Sequence, residues 1–427
     1  MLGLTAMASE DGKDWTVTLR RDVVFHDGTS FDADAVMVHY QRLLDLESKY
    51  RGRGDILPIR AVEKIDAHTV RFSLNHAWLP FLAVISDTRG LGATIPSPKA
   101  VAAGTQDRAP VGTGPFMFKE WQSGDRFVVV KNPDYWDRGK PYLDSVVFRP
   151  MPDHQTRFAS LMSGETDLIW IDRGSIIEKA QVGNVLQVFQ DEDNGAEIFI
   201  LNTAKPPLDD VRVRRALAYA HSQDLQVKMV YNDSIPVVRH PFGTDVSCSD
   251  TGYLEFDPAK SRQLLSEYGK PVEIECLHSS SDRGRDIGQL TQKLFKDVGI
   301  AVNPVGLDFG PVVKKVITGD YQLSTWRISS RPDLGPSLFA MFHSKSKRNF
   351  SHYSTPELDQ LLEAQRVETD PVKRSDLLCR IVRQVNQDAP ILYRGGMRYH
   401  VIAGKRVRGI SGINRGIVPL TEAWLSD

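Results

Sequence analysis

The 427-residue sequence has few cysteines, almost no net charge and no long apolar run. Its three cysteines, Cys248, Cys276 and Cys379, lie far apart and form no CxxC pair, so neither a zinc site nor a disulfide framework is indicated. We expect three buried thiols, with one disulfide and one free thiol as the alternative. No apolar run approaches the ~20 residues that a membrane-spanning helix needs.

The charge balance argues against partners that are strongly acidic. The sequence contains 53 Lys and Arg against 54 Asp and Glu, a net charge of −1 at pH 7. Such a chain creates no basic field toward nucleic acid or an anionic membrane, so no nucleic-acid partner is expected. With 41% hydrophobic and 25% charged residues, the composition predicts a folded protein with a substantial core and two or three domains.

Sequence motifs for catalysis and cofactor binding are also missing. There is no GxGxxG after a strand, no P-loop, no GxSxG elbow and no HExxH among the 11 histidines. The stretch VVFHDGTSFDADAV places His26 and three aspartates within nine residues. We interpret Asp27-Gly28 as a turn and Asp32 as the N-cap of the next helix, not as metal ligands. The sequence therefore predicts no enzyme, no cofactor and no metal.

The arrangement of cap and turn residues predicts interleaved helices and strands. Trp15, Val17 and Leu19 alternate with polar residues, which is typical of a strand. Three helices are predicted to begin where an N-cap residue precedes a proline. These starts are Asp257-Pro258, Thr355-Pro356 and Asp370-Pro371. A mixed α/β fold with more than one lobe follows.

Six stretches, taken in order, resemble the family 5 extracellular solute-binding proteins that serve bacterial ABC importers for oligopeptides, dipeptides and nickel chelates. They are DGKDWTVTLRRDVVFHDGTSFDADAV, VGTGPFMFKEW, VVVKNPDYWDRGKPYLDSVVFRPMPD, LMSGETDL, LNTAKPPLDDVRVRRALAYAHS and HYSTPELDQLLEAQRVETDPVKRSDLLCRIVRQVNQDAPILYR. Each motif alone is weak, but together they are collinear from about Asp11 to the end of the chain.

The resemblance implies an α/β fold of the two-lobed periplasmic binding protein kind (type II, large peptide-binding class), with an extra small domain and a hinge. Mapped onto this sequence, residues 1–108 would form the small extra domain. Residues 109–206 with 403–427 would form a discontinuous hinge-side domain, and residues 207–402 the opposite ligand-binding lobe. Relatives carry a signal peptide, a first strand and a helix before the position of Met1. We therefore expect a missing first segment and a signal peptide upstream.

The resemblance also identifies a candidate cleft wall in YQLSTWRISSRPDLGPSLF. Peptide-binding relatives have a W-x-x-D pattern there, whose aspartate pairs with the peptide amino terminus. Here Trp326 is the tryptophan, Ser329 holds the position of the aspartate, and Arg327 and Arg331 lie alongside. This pattern favours a ligand with a carboxylate or phosphate over a free amine. Two alternatives stay open: Asp333 replaces the aspartate, or both arginines are surface residues.

Three further residues are candidate ligand contacts by the same resemblance. Arg89 lies where relatives place a cleft-facing loop, Asn202 matches a family asparagine, and Tyr393 belongs to a strand that returns past the cleft. Each has a structural alternative. Arg89 would be a solvated loop residue, Asn202 would brace the backbone, and Tyr393 would be a core side chain.

The sequence thus predicts the solute-binding component of an ABC import system. Such a protein is a periplasmic monomer that captures a peptide or another small polar solute, anionic solutes included, in an interlobe cleft. It delivers the unaltered solute to an ABC permease in the inner membrane. The alternatives are the ligand-sensing domain of a regulator, against which the missing helix-turn-helix argues, and a hydrolase on the same scaffold, against which the missing nucleophile motif argues.

Overall fold

The computed structural model of the protein describes residues 2–45, 47, 53–87, 90–243, 246–329 and 331–427. In these ranges fifteen strands alternate with fourteen α-helices and two short 3-10 helices. The mixed α/β composition predicted from the sequence is therefore confirmed. The strands belong to four sheets of four, three, six and two strands.

The four-stranded sheet is antiparallel and is built from the first part of the chain. It has the order β1-β2-β4-β3. Its strands are β1 (Gly3–Ala8), β2 (Asp14–Leu19), β3 (Ile59–Asp66) and β4 (Thr69–Leu74). The helices of this part are α1 (Ala33–Leu44), α2 (Arg53–Ile56), α3 (Phe81–Ile85) and α4 (Pro98–Ala102), with a 3-10 helix at Leu91–Ala93. Helix α1 packs on the sheet with the rings of Tyr40 and Phe72 edge to face at 4.9 Å.

The acidic stretch before α1 is a turn and a cap, as predicted. The backbone N–H of Gly28 donates to the carbonyl of Phe25 at 2.8 Å, and Gly28 has a φ of 79°, which favours glycine. The side chain of Asp32 accepts a bond from the backbone N–H of Ala35 at 3.1 Å. The turn and the cap are local features, and they explain why Asp27 and Asp32 occur at these positions.

A three-stranded antiparallel sheet follows, in the order β5-β6-β7. Its strands are β5 (Phe116–Gln122), β6 (Arg126–Lys131) and β7 (Ser145–Phe148). The last sheet in the chain pairs only β14 (Val407–Arg408) and β15 (Trp424–Leu425).

The six-stranded sheet organises the rest of the molecule. Its order is β11-β10-β12-β9-β13-β8, with β10 parallel to β11 and β12 and the other pairs antiparallel. Its strands are β8 (Leu168–Ile171), β9 (Leu186–Leu201), β10 (Val272–Ser279), β11 (Ile300–Leu307), β12 (Leu323–Ile328) and β13 (Ile391–Gly404).

Helices cover both faces of this sheet. On β9, Phe199 and Leu201 belong to one buried cluster and Ile198 and Ile200 to another, because neighbouring residues of a strand point to opposite faces. The helices from residue 154 onward are α5 (His154–Met162), α6 (Gly174–Gln181), α7 (Val211–Ala220), α8 (Gln223–Tyr231), α9 (Pro258–Tyr268), α10 (Asp282–Lys296), α11 (Phe309–Ile317), α12 (Gly335–Phe342), α13 (Pro356–Val367) and α14 (Pro371–Asp388), with a 3-10 helix at Val182–Asn184.

The three predicted cap and proline pairs begin α9, α13 and α14. The side chains of Asp257, Thr355 and Asp370 each accept a hydrogen bond from the backbone of the first helical turn. Helix α14 buries one face, which includes Ile381 and Val382. These helix starts are confirmed.

The expectation of three buried thiols is wrong. Cys248 and Cys379 form a disulfide with a Cα–Cα distance of 5.5 Å across a sequence separation of 131 residues. Both are half-buried. Only Cys276 is a buried free thiol, and burial raises its pKa to about 12. Cys379 lies beside the buried face of α14 and is not part of it, which lets its side chain reach Cys248.

The predicted domain boundaries stay a prediction, although the sheets divide the chain in an informative way. The four-stranded sheet lies within residues 1–108 and the three-stranded sheet within residues 109–206. Strands β8 and β9, however, come from residues 109–206 and pair into the same sheet as the strands of residues 207–402. The last two segments are therefore joined through continuous backbone hydrogen bonding.

Candidate functional site

A cavity of about 320 Å³ opens beside β12. We call it the Trp326 cavity. Its apolar lining consists of Ile200, Ile287, Phe309, Val312, Trp326, Ile328, Met341 and Phe350. Its charged lining consists of Glu197, Arg283, Arg327, Arg331, Arg348 and Arg394. Apolar walls with a few polar groups are typical of a small-molecule site, and the volume is at the lower end of the range of about 300–1,000 Å³ for such sites.

The cavity exists because two neighbouring strands part. Strand β12 pairs with β10 only at Leu323 and Ser324, whereas it pairs with β9 along its whole length. Beyond Ser324 the side of β12 that faces β10 is open. The residues that follow, from Thr325 onward, line the gap. There the ring of Trp326 meets that of Phe350 edge to face at 6.0 Å.

An ion pair between β9 and β13 lies at the cavity. The guanidinium of Arg394 donates to the Glu197 carboxylate at 2.6 Å, to the Tyr231 hydroxyl at 2.9 Å and to the Ile198 carbonyl at 3.1 Å. The Arg394 side chain is buried, and that of Glu197 nearly so. Because its hydrogen bonds hold Arg394 in one orientation, this pair is a fixed part of the wall.

A second group of charges joins the start of α10 to β8 and α5. The guanidinium of Arg283 lies 2.8 Å from the Asp172 carboxylate. His154 lies between two carboxylates, with Nε2 at 2.6 Å from Asp172 and Nδ1 at 2.9 Å from Asp282. Burial alone would raise the pKa of Asp172, but Arg283 and His154 outweigh it and lower that pKa to about 2. The bond to Asp172 raises the pKa of His154 against the effect of burial.

Arg331 connects the cavity to the first part of the chain. Its Nη1 donates to the Asp87 carboxylate at 2.7 Å. Its backbone is held by Asn194, whose side chain accepts from the Arg331 N–H at 2.9 Å and donates to the Arg331 carbonyl at 2.7 Å. Asn194 is buried, so the position of the Arg331 main chain is tightly fixed.

The structure brings four of the seven predicted ligand contacts together. Trp326, Arg327, Ser329 and Arg331 all line the Trp326 cavity. Arg327 is exposed, as the alternative of two surface arginines requires, but Arg331 is half-buried. That alternative therefore does not hold for Arg331. Arg89 lies outside the described residues. Whether any of the four touches a ligand stays a prediction.

Two predicted contacts are elsewhere. Asn202 is buried, and its amide donates to the carbonyls of Gly319 and Tyr321 at 3.1 Å each, so it braces the backbone. Tyr393 is 2% exposed and packs toward Tyr253 at a ring distance of 6.2 Å. Neither lines the Trp326 cavity. Both placements match the structural alternatives, and contact of either residue with a ligand stays a prediction.

Asp333 does not replace the missing aspartate. Its two oxygens accept from the guanidinium of Arg374 at 2.7 and 2.8 Å, and one also accepts from the Gly335 N–H at 2.8 Å. It lines a smaller neighbouring cavity of about 30 Å³, outside the Trp326 cavity. Its charge is therefore already compensated.

Sequence reasoning missed Glu197, Arg283, Phe350 and Arg394. For Glu197 and Arg394 a usable signal was present, since each is the one charged residue in a short apolar stretch of its strand, AEIFIL and ILYRGG. Such a charge needs a buried partner. Arg283 and Phe350 reach the cavity only through tertiary packing, and nothing in their local sequence distinguishes them.

Another depression, of about 530 Å³, lies next to the disulfide. It is larger than the Trp326 cavity, but its lining is mostly exposed and polar, with Ser249, Asp250, Asp376 and Arg380 among its residues. A ligand there would lose little water. We therefore place the site at the Trp326 cavity, where an apolar and aromatic wall is available.

Searches for other kinds of site were negative within the described ranges. They contain no cluster of three or more His, Cys, Asp or Glu side chains able to hold a metal ion. They also contain no helix that combines the length and apolar character needed to cross a bilayer.

Comparison with known proteins confirms the resemblance found in the sequence. The family model for bacterial extracellular solute-binding proteins, family 5 Middle, matches residues 5–350. The glutathione-binding protein GsiB of Pectobacterium atrosepticum is 28% identical over 421 residues, covering 94% of this chain and 80% of that protein. The dipeptide-binding protein of Escherichia coli is 27% identical over 423 residues, covering 90% and 78%.

A solved structure confirms the two-lobed periplasmic binding protein fold. It is the ABC transporter-associated periplasmic binding protein DppA from Helicobacter pylori in complex with the peptide STSA. The likeness has a TM-score of 0.88 at 24% identity and covers all of this chain and 89% of that one. At this identity the likeness speaks for the fold, not for the ligand.

Proposed function

Because the chain belongs to the family 5 bacterial extracellular solute-binding proteins, whose members bind peptides or small ligands and work with ABC permeases, we propose that it captures a small solute or short peptide in the Trp326 cavity. The protein then passes the solute, chemically unaltered, to a permease in the inner membrane. Affinity comes from burial, hydrogen bonds and closure of the two lobes, not from covalent chemistry.

The observation that carries this proposal is the composition of the cavity wall. An aromatic and apolar surface faces a few fixed polar groups, which is the pattern of a binding site. Three serines line the cavity, Ser279, Ser329 and Ser337, but its described lining has no histidine, lysine or cysteine that could activate one of them. This argues for binding rather than hydrolysis.

The disulfide supports a periplasmic location. A bond between Cys248 and Cys379 forms and persists in oxidising compartments such as the bacterial periplasm and is rare in the cytosol. The curated relatives with binding-protein names are consistent with the same placement. An intracellular regulator would not be expected to carry such a bond.

The test is a thermal shift screen of the purified, oxidised protein. The probes are glutathione, short peptides, nickel–histidine and sugar acids. A ligand that binds only the folded state raises the melting temperature, by an amount equivalent to about 2.7 kcal/mol at a concentration of 100 Kd. Mass spectrometry of the denatured complex should then recover the intact ligand.

Variants locate the site. Trp326→Ala should abolish the shift, whereas Trp121→Ala, which removes an exposed tryptophan of β5, should leave it unchanged. If the ligand still raises the melting temperature of Trp326→Ala, the binding site lies outside the Trp326 cavity. Recovery of a cleaved ligand would favour an enzyme.

A further inference from the structure

The charges that line the Trp326 cavity restrict the chemistry of its ligand, and the argument rests on the function proposed above. Five of the lining residues are arginines and one, Glu197, is acidic. The side chains of this wall therefore carry a net positive charge. The charge that a ligand meets depends on which of these arginines already bind a carboxylate of the protein.

The carboxylates around the cavity are compensated. Glu197 accepts from Arg394 at 2.6 Å. Asp172, in an adjoining cavity that shares Glu197, Arg283 and Arg327 with this one, lies 2.8 Å from Arg283. Asp87 accepts from Arg331 in the same way. Among the described residues, every carboxylate that lines the Trp326 cavity is already bound by a guanidinium. An ammonium group of a ligand would therefore find no unpaired carboxylate there.

Arg327 differs from Arg283, Arg331 and Arg394, each of which binds a carboxylate of the protein. It is exposed and lines both the Trp326 cavity and the adjoining cavity of about 50 Å³. Within the described ranges its guanidinium forms no hydrogen bond or ion pair. Its cross-strand neighbour is Glu197, but the carboxylate of that residue is bound by Arg394. The guanidinium fork of Arg327 is therefore available to a ligand, and its geometry suits a carboxylate or a phosphate.

The apolar wall adds a second requirement. Trp326 and Phe350 stand edge to face, and Phe309, the first residue of α11, is 66% exposed although it faces the cavity. Exposed aromatic surface beside an available guanidinium suits a molecule with an apolar part and an anionic end.

We propose that the ligand is an amphipathic organic anion without a free amine, whose carboxylate or phosphate binds Arg327 while its apolar part packs on Trp326, Phe309 and Phe350. Arg327 is the residue that determines this specificity. Arg283, Arg331 and Arg394 keep their carboxylate partners within the protein.

Five probes with one phenyl ring separate the relevant charges in a calorimetric titration. N-acetyl-phenylalanine carries a carboxylate, phenethyl phosphate a phosphate, N-acetyl-phenylalaninamide no charge, phenylalaninamide an ammonium, and Ala-Phe both an ammonium and a carboxylate. One or both anions should bind at least tenfold more tightly than the neutral, cationic and zwitterionic probes. The stronger of the two anions identifies the head group.

Arg327→Gln should weaken the preferred anion at least tenfold, and Arg327→Lys should restore part of the affinity because it keeps the charge. The matched control is Arg138→Gln, which removes another exposed arginine, from the loop between β6 and β7, and should have no effect. Because Arg327 is exposed, the ligand-free melting temperature of its variants should stay near that of the wild type, so a loss of binding is not a loss of folding.

Three results would overturn the inference. The first is tighter binding of Ala-Phe or phenylalaninamide than of both anions, which would leave the proposed solute capture intact. The second is unchanged anion binding by Arg327→Gln, and the third is no binding of any of the five probes. The proposed function is judged separately, by the broader ligand screen and the Trp326→Ala variant.

Discussion

The guanidinium of Arg331 donates to the carboxylate of Asp87 at 2.7 Å, although 244 positions separate the two residues along the chain. The Asp87 side chain is 7% exposed and that of Arg331 27%. The pair ties the loop after α3 to the rim of the Trp326 cavity. It is a contact between the segment predicted as the small extra domain and the segment predicted as the ligand-binding lobe.

Asp87→Asn should destabilise the folded protein. The change leaves Arg331 without its charged partner in a largely buried position, and such a loss costs about 1–3 kcal/mol. Urea unfolding of the wild type, Asp87→Asn, Arg331→Gln and the double variant measures the coupling. Strictly additive effects in this cycle would show that the pair contributes nothing of its own.

The charge network around His154 predicts a pH-dependent stability. The folded state raises the pKa of His154, so its contribution is fully present below the usual value of about 6.5 and is lost as the pH rises through the raised value. The folded state lowers the pKa of Asp172 to about 2, so that contribution is present above about 3.9 and is lost as the pH falls toward 2.

The free energy of unfolding should therefore be highest between about pH 4 and pH 6.5. The charged groups that face His154 are Asp172, Asp282 and Arg157. The two aspartates raise the pKa of His154, whereas Arg157 lowers it. Urea titrations from pH 5 to pH 9 measure the alkaline decline. His154→Gln should flatten it, and an equally steep decline in that variant would assign the effect to other groups.

Reduction of the disulfide should lower stability substantially. The bond between Cys248 and Cys379 closes a long loop, and the loss of such a constraint typically costs about 2–4 kcal/mol. The double variant Cys248→Ser, Cys379→Ser and the reduced wild type should melt at the same lower temperature. If reduction leaves the melting temperature of the wild type unchanged, the bond is not formed in solution.

Gly174 and Gly310 provide a matched pair of glycine substitutions. A Cβ at Gly174, the first residue of α6, would overlap the backbone carbonyl of Tyr231, whereas one at Gly310 in α11 would meet open space. Gly174→Ala should cost at least about 1–3 kcal/mol, as overpacking does, while Gly310→Ala should be neutral or stabilising by up to about 1 kcal/mol. Equal melting temperatures for the two variants would contradict the tight packing of α6 on α8.

Much of the local structure was predictable from the sequence because its causes are local. The caps at Asp32, Asp257 and Asp370 and the turn at Asp27-Gly28 follow from residues within three or four positions of one another. Trp326, Arg327 and Arg331 were identified through the family resemblance, and they reach the cavity together because β12 and the three residues after it carry them.

The rest of the site depends on contacts that no local pattern encodes. Arg283 contacts Asp172, from which it is separated by 111 positions in the sequence. Arg394 contacts Glu197, which is 197 positions away. The same limit explains the wrong expectation of three buried thiols, because no local pattern shows that Cys248 lies beside Cys379. The sequence also could not show that Asn202 and Tyr393 lie outside the Trp326 cavity, because a buried polar or aromatic residue has the same sequence appearance whether it faces a cleft or the core.

The disulfide also defines a covalent ring that contains almost the whole lining of the Trp326 cavity. Apart from Glu197, Ile200 and Arg394, every described residue of that lining lies between Cys248 and Cys379. A single proteolytic cut inside this ring leaves both fragments attached to each other. An oxidised molecule nicked there would migrate as one species on a denaturing gel until a reductant is added.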